Sequence, residues 1–201
     1  MKSVRDYKGK IEYKDGSVYE GHLKEGVPVG VGRKIMPDKS YYEGDFDQGE
    51  MTGKGKLVHS DGTVQEGEWK NGKLEGEGKE IHPDGEEYTG QYKDGVKHGK
   101  GIWKKEGNEY DGDFVNGKHE GTGTYIWKDG QKYTGSWKDG MENGLGKLCL
   151  KNGWVYEGDF LNRKRDGTGK LTMYFSYSNK RLGTEERSLK EVGKITRETG
   201  S

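Results

Sequence analysis

A 23-residue period runs through most of this chain and constrains its fold more than any single residue does. The unit reads Tyr-x-Gly-x-aromatic, a glycine three residues on, then Gly-x-Gly, then a residue pair ending in Gly. It starts at Tyr19, Tyr42, Gln65, Tyr88, Tyr110, Tyr133 and Tyr156, with one residue missing between the fourth and fifth copies. A tandem unit this short cannot bury its apolar side chains alone, so each copy must pack against its neighbours. Repetition of one small unit also leaves no room for a catalytic constellation, and we expect no enzyme here.

Composition agrees with a thin, extended body. Of 201 residues, 27% are hydrophobic and 35% charged, too few apolar groups for a thick globular core. Such numbers would suit disorder, but disordered chains are poor in aromatics, and this one places thirteen Tyr, five Trp and four Phe at periodic positions. Lys plus Arg equals Asp plus Glu at 35 each, which removes the electrostatic argument for nucleic acid as a partner. The one cysteine, Cys149, permits no internal disulfide and fits a reducing, cytoplasmic compartment. No stretch of 18 apolar residues is present, and Met1 to Lys10 contains no apolar run of the secretory kind.

Within each unit a second large side chain follows the first by four residues: Leu23, Phe46, Trp69, Tyr92, Phe114, Trp137 and Phe160. Positions two and four apart share one face of a strand, so the tyrosine, a glycine and the second side chain lie together. Glycine inside a strand implies close approach, and we expect a ring of the neighbouring repeat to lie over each bare Cα. Second strands are expected to begin at the Gly-x-Gly pair and run through Leu57, Trp103, Tyr125 with Trp127, Leu148 with Leu150, and Leu171 with Met173. Asn71-Gly72, Asp94-Gly95, Asn116-Gly117 and Asp139-Gly140 within units, and Asp15-Gly16, Asp61-Gly62, Asp84-Gly85, Asp129-Gly130 and Asn152-Gly153 between them, supply the positive φ angles of type I′ turns. Acidic first strands (Glu43, Glu66, Asp111, Glu157) alternate with basic second strands (Lys56, Lys79, Lys147, Lys170), a solvated pattern of cross-strand pairs.

The five histidines carry no ligand spacing. His59 and His82 sit one unit apart, about 10 Å by strand spacing, too far to share one zinc without a further group. The glycine pairs are followed by strands and not by helices, so they form no phosphate loop. We therefore assign no catalytic, cofactor-binding or metal-binding residue.

The array is expected to occupy residues 1–183, with a leading half-repeat at about 9–18 and seven repeats from 19 to about 175. A tail follows over 184–201, in which Thr184 to Arg197 reads either as one short helix with Leu189, Val192 and Ile195 on a face or as a frayed charged end. Thr172 to Lys180 would close the last strand.

Tyr42-Glu43-Gly44-Asp45-Phe46, then Gly49, Gly53-Lys54-Gly55 and Asp61-Gly62, resembles the MORN (membrane occupation and recognition nexus) repeat, and seven such units cover roughly Tyr19 to Leu171. The resemblance implies an all-β fold, an elongated twisted antiparallel sheet of stacked β-hairpins with an aromatic-lined groove. Gln65, Arg163, Pro28 and Lys39 depart from the pattern locally. On this footing we expect a partner-binding groove built from Tyr42, Phe46, Trp69, Tyr88, Tyr92, Trp103, Tyr110, Phe114, Tyr125, Trp127, Tyr133, Trp137, Tyr156 and Phe160. Large rings give contact area at little entropic cost. Gln65, Glu80 and His82 should form a polar notch that receives a basic or hydrogen-bonding group of the partner. The expected partner is a protein, entering as an amphipathic helix or extended peptide. The expected role is a non-catalytic scaffold within a large cytoskeletal assembly, with a cilium or flagellar axoneme and its radial spoke as the setting the family suggests. Two alternatives stand beside it. One is a phospholipid- or membrane-binding module, suggested by the family name and the basic clusters Lys97 to Lys105 and Arg163 to Arg165. The other is a targeting subunit of a separate enzyme.

Overall fold

The structure is a computed structural model that describes residues 6–173 and 193–196. The chain divides into two compact units, Met1–Lys105 and Glu106–Ser201. In the first lie β1 (Asp6–Glu12), β2 (Val18–Lys24), β3 (Val27–Ile35), β4 (Tyr41–Asp47), β5 (Glu50–Val58), β6 (Val64–Lys70), β7 (Lys73–Ile81), β8 (Glu87–Lys93) and β9 (Val96–Lys105). The second holds β10 (Asn108–Val115), β11 (Lys118–Ile126), β12 (Lys132–Lys138), β13 (Met141–Cys149), β14 (Trp154–Leu161), β15 (Lys164–Met173) and β16 (Gly193–Thr196). Within each unit every strand pairs antiparallel with the next in sequence, and no helix occurs among the described residues. The fold is all-β, a series of hairpins laid side by side.

The hairpins are closed by two kinds of turn. Inside each repeat a two-residue loop has both residues at positive φ, as at Asn71 (49°) with Gly72 (74°) and Asp94 (52°) with Gly95 (82°), the type I′ geometry that the sequence predicts. Between repeats the expectation of type I′ turns fails. There only the glycine is left-handed, and the loop has three residues: Gly16 N donates to Tyr13 O, while Tyr13 N donates to Ser17 O. The aspartate keeps ordinary φ because its carboxylate has another task. Asp15 Oδ1 accepts from Ser17 N and Ser17 Oγ, and Asp38 does the same for Ser40. These bonds hold both carboxyls below the usual range.

In the Asp38 turn the glycine is replaced by Lys39, at φ 75°. A left-handed lysine costs roughly 1 kcal/mol that glycine would not. Lys39→Gly is therefore expected to raise the melting temperature by about 2–4 °C, which differential scanning calorimetry would measure; a lower value would show that the strain is relieved elsewhere.

Second strands begin earlier than their glycine pair. β5 starts at Glu50, directly after the tight turn, and Gly53 (φ 55°) sits inside it at a bulge. Every repeat bulges here: pairing runs Gly112↔Gly123 and then jumps to Asp113↔Glu120. The bulge disrupts the ladder locally, and two side chains engage backbone groups beside it. On one face the tyrosine hydroxyl donates to the carbonyl three residues ahead, as in Tyr19 to His22 O and Tyr110 to Asp113 O. On the other, the acid at that third residue accepts from the amide after the bulge glycine, as in Lys54 N to Asp45 Oδ2 and Thr122 N to Asp113 Oδ2.

The second glycine of each pair lies beneath a ring, but the ring comes from the same repeat, correcting the expected neighbour. Tyr42 covers Gly44 on its own strand and Gly55 across the hairpin, and Tyr19 does this for Gly21 and Gly32. The neighbouring repeat contributes an edge-on contact instead: Tyr42 to Trp69 at 5.3 Å and Tyr133 to Phe160 at 4.9 Å between centroids. Trp69 Nε1 and Trp137 Nε1 also donate back to Gly55 O and Gly123 O of the preceding repeat. Only Gly78 is covered by the next repeat's ring, that of Tyr92, because Gln65 stands where the tyrosine would be. Each hairpin tip is tied to the previous repeat as well, with Gly72 N donating to Met51 O and Gly95 N to Leu74 O. At this position Pro28 serves as well as any residue, since only its carbonyl is used.

The expected C-terminal helix is corrected where the residues are described. Gly193–Thr196 is a strand paired to β15, with Gly193 opposite Leu171 and Ile195 opposite Gly169. Glycine is a poor helix residue and β-branched Ile195 and Thr196 suit a strand, while β15 offers an edge to pair with. Residues 174–192, including the rest of that helix and the closing segment after Met173, lie outside the described residues.

Candidate functional site

Strand alternation gives each unit a tyrosine face and a charged face. On the charged face of the first unit, Lys10, Glu20, Arg33, Glu43, Lys56, Glu66 and Lys79 stand opposite one another on successive strands, so opposite charges alternate across seven strands. Arg33 to Glu43 closes at 3.3 Å; in the second unit Lys147 to Glu157 closes at 2.8 Å. All are half exposed, and each pair contributes well under 1 kcal/mol. Beside this row the same face carries an apolar one that sequence reasoning missed: Val18, Ile35, Tyr41, Val58, Val64 and Ile81. The signal was present as a β-branched residue just before and after each inter-repeat turn.

The tyrosine face contains the core. Tyr19, Tyr42, Tyr88, Tyr110 and Tyr133 are fully buried, and Phe46, Trp69, Tyr92, Phe114, Tyr156, Trp137 and Phe160 are 2–5% exposed. Burial, with nearby carboxylates, pushes the Tyr42 and Tyr133 hydroxyls up to about 12. These rings, expected to line a groove, have almost no surface to offer. What remains accessible on this face comes from the second strands, whose side chains stand opposite the tyrosines, and here the two units differ.

In the first unit the accessible positions are mostly polar. Gln65, Glu80 and His82 do come together: Gln65 Nε2 donates to Glu80 Oε2 at 2.6 Å, and His82 Nε2 lies 2.9 Å from Glu80 Oε1. His59 Nε2 lies 3.0 Å from Gln65 Oε1. The basic group expected from a partner is supplied by the chain itself, since Lys97 Nζ reaches Glu80 Oε1 at 2.9 Å. Burial raises the Glu80 carboxyl, but the hydrogen bonds of Gln65, Lys97 and His82 outweigh it and bring it down to about 2. Trp103 and Lys105 are anchored too, Trp103 Nε1 donating to Glu86 Oε1 and Lys105 pairing with Asp84 and Glu86.

In the second unit the equivalent positions are apolar. Tyr125, Leu148 and Leu171 stand opposite Tyr110, Tyr133 and Tyr156, with Trp127 and Leu150 two residues on, and all five are partly exposed. Tyr125 and Trp127 are in contact at 4.9 Å. His119 lies beneath them, stacked on Tyr110 at 3.6 Å and edge-on to Phe114 and Trp137. Burial, helped by the Arg163 charge, lowers its imidazole from 6.5 to about 4. The folded state thus disfavours the proton that the unfolded chain accepts near 6.5, and stability falls as pH drops from 6.5 to 4. His119→Phe is expected to remove about 2 kcal/mol of that decline, measured by urea unfolding at pH 7 and pH 4.5; an unchanged slope would place the effect on other groups.

Among the described residues no group of three or more His, Cys, Asp or Glu is placed to hold a metal ion, and no helix is long and apolar enough to cross a membrane.

No curated protein matches the chain. Among solved structures it is similar to the SAS-4 (dCPAP) TCP domain of Drosophila melanogaster in complex with a proline-rich motif of Ana2 (dSTIL), at 18% identity and a TM-score of 0.43 over 75% of this chain and 88% of that one. It is likewise similar to the wild-type TCP10 domain of Danio rerio CPAP, at 15% identity and a TM-score of 0.32 over 76% and 83%. The MORN repeat pattern matches residues 19–41, 42–64, 66–87, 88–106, 110–132, 133–155 and 156–173, copy for copy with the hairpins described above. The chain belongs to the MORN-repeat family.

Proposed function

We propose that this protein is a non-catalytic scaffold that holds partner proteins on the tyrosine face of its Glu106–Ser201 unit. The observation that carries the reading is the row Tyr125, Trp127, Leu148, Leu150 and Leu171, partly exposed apolar side chains on successive second strands. They rest on a fully buried aromatic floor, so they are held in place before a partner arrives, and rigid aromatic anchors of this kind dominate binding energy. An amphipathic helix or extended segment with an apolar stripe is the matching ligand. The polar network of the first unit then acts as a structural clamp beside the site. Family membership supports a cytoskeletal assembly as the setting, with a ciliary or flagellar axoneme and its radial spokes as the specific proposal.

Membrane binding is the weaker reading. Lys97 and Lys105, the ends of the first basic cluster, are spent on Glu80, Asp84 and Glu86.

The test is affinity capture from native extract with Trp127→Ala plus Leu150→Ala, beside Leu145→Ser as a charged-face control, Leu145 being 69% exposed. The double variant should lose about tenfold or more of its captured partner while the control keeps it. Loss by the control alone would reject the assignment.

A further inference from the structure

The sheet of the first unit begins with an incomplete repeat. β1 has the character of a second strand, and among the described residues its only partner is β2. In six of the seven complete repeats the second-strand glycine is covered by the tyrosine of the first strand before it, as Tyr19 covers Gly32 and Tyr42 covers Gly55. Gly9 is the counterpart of those glycines and has no such strand. Its nearest neighbours are Leu23 Cδ1 and the ring of Tyr7, which is 48% exposed.

We infer that the open edge of β1 accepts an extended segment of a partner protein carrying the pattern Tyr-acid-Gly-acid-aromatic, which completes the half-repeat by strand addition. The register follows from the closed edge, where Ile11 stands opposite Tyr19, Lys10 opposite Glu20 and Gly9 opposite Gly21. On the open edge the incoming tyrosine meets Ile11 and lays its ring over Gly9. The first acid meets Lys10, the glycine meets Gly9, and the second acid meets Lys8.

Charge complementarity selects this occupant. β1 presents Lys8 and Lys10 on the charged face, and inside the array the position of Lys10 faces acids: Arg33 lies between Glu20 and Glu43, and Lys56 between Glu43 and Glu66. Lys10 now pairs with Glu12 at 2.6 Å, but both side chains are more than half exposed, so the pair is easily exchanged. A second copy fits less well, because antiparallel pairing of β1 with itself about Gly9 sets Lys8 against Lys10 and Asp6 against Glu12. Main-chain bonds supply affinity and the glycine contact supplies selectivity, since any side chain opposite Gly9 blocks the ring.

The probe is a synthetic peptide of residues 40–48, which contains Tyr42-Glu43-Gly44-Asp45-Phe46, titrated into the full chain with amide shifts and fluorescence anisotropy as readouts. Shift changes should concentrate at Asp6–Glu12. Gly44→Val in the peptide should abolish binding. Lys10→Glu in the protein should weaken binding by about tenfold and a Glu43→Lys peptide should restore it, with the melting temperature of the variant confirming its fold. Indifference to Lys10→Glu, shifts centred on other strands, or no binding at millimolar peptide would overturn the proposal. So would self-association through β1 that excludes the peptide, which would make a second copy the occupant.

Discussion

Gly55→Ala is expected to be the most damaging single-methyl change in the protein, costing about 3–5 kcal/mol. A Cβ added there would collide with Tyr42 Oη and Cζ, and Tyr42 is fully buried with its hydroxyl committed to Asp45 O and Thr52 O. The ring cannot swing aside without abandoning those bonds and its edge contacts to Phe46 and Trp69. The matched control is Gly130→Ala, where φ is +88° but nothing lies within 4 Å of the added carbon, so the cost is only the backbone term of about 1 kcal/mol. Chemical denaturation of the two variants separates contact from conformation; equal losses would mean that the glycines serve the turn and bulge geometry alone.

Glu80→Leu should destabilise the first unit by about 3 kcal/mol, because it leaves Lys97, whose side chain is 18% exposed, facing an apolar group. The same network makes the wild type acid-sensitive in a defined window. With its folded carboxyl lowered from 4.5 to about 2, Glu80 contributes stability in full above about pH 4.5 and loses it as pH falls toward 2. Glu80→Gln should flatten that part of the stability curve. Unfolding followed by tryptophan fluorescence between pH 5 and pH 2 checks the sign, and an unchanged profile in Glu80→Gln would show that Lys97 finds another partner.

Much of the architecture was legible because a period of 23 leaves little freedom. Tyr19 through Tyr156 fall at equivalent strand positions, and Asn71-Gly72 and its relatives make the turns that their residues demand. What escaped was non-local. Asp15-Gly16 and Asp94-Gly95 share a dipeptide yet make different turns, because Ser17 lies two residues after Asp15 to satisfy its carboxylate and no such residue follows Asp94. The ring over Gly55 could be placed on the right face from strand parity, but which repeat supplied it depended on the cross-strand register and the bulge at Gly53.

The candidate site was legible only in outline. Periodicity identifies aromatic positions without distinguishing buried from accessible ones, so Tyr110 and Phe114 entered the same set as Trp127. Burial assigns the first pair to the core and leaves Tyr125, Trp127, Leu148 and Leu150 as reachable surface. The notch at Gln65, Glu80 and His82 was located from parity, yet its occupant, Lys97, came from the following repeat, beyond the reach of any pattern within one unit.

Hydroxyl-radical footprinting of the protein, free and within its native assembly, addresses the claim that partners sit on the tyrosine face of the second unit. Oxidation of Tyr125, Trp127 and Leu150 should fall on assembly while that of Leu145 and Tyr41 on the charged face stays the same. Protection of Leu145 and Tyr41 with Trp127 still reactive would contradict it.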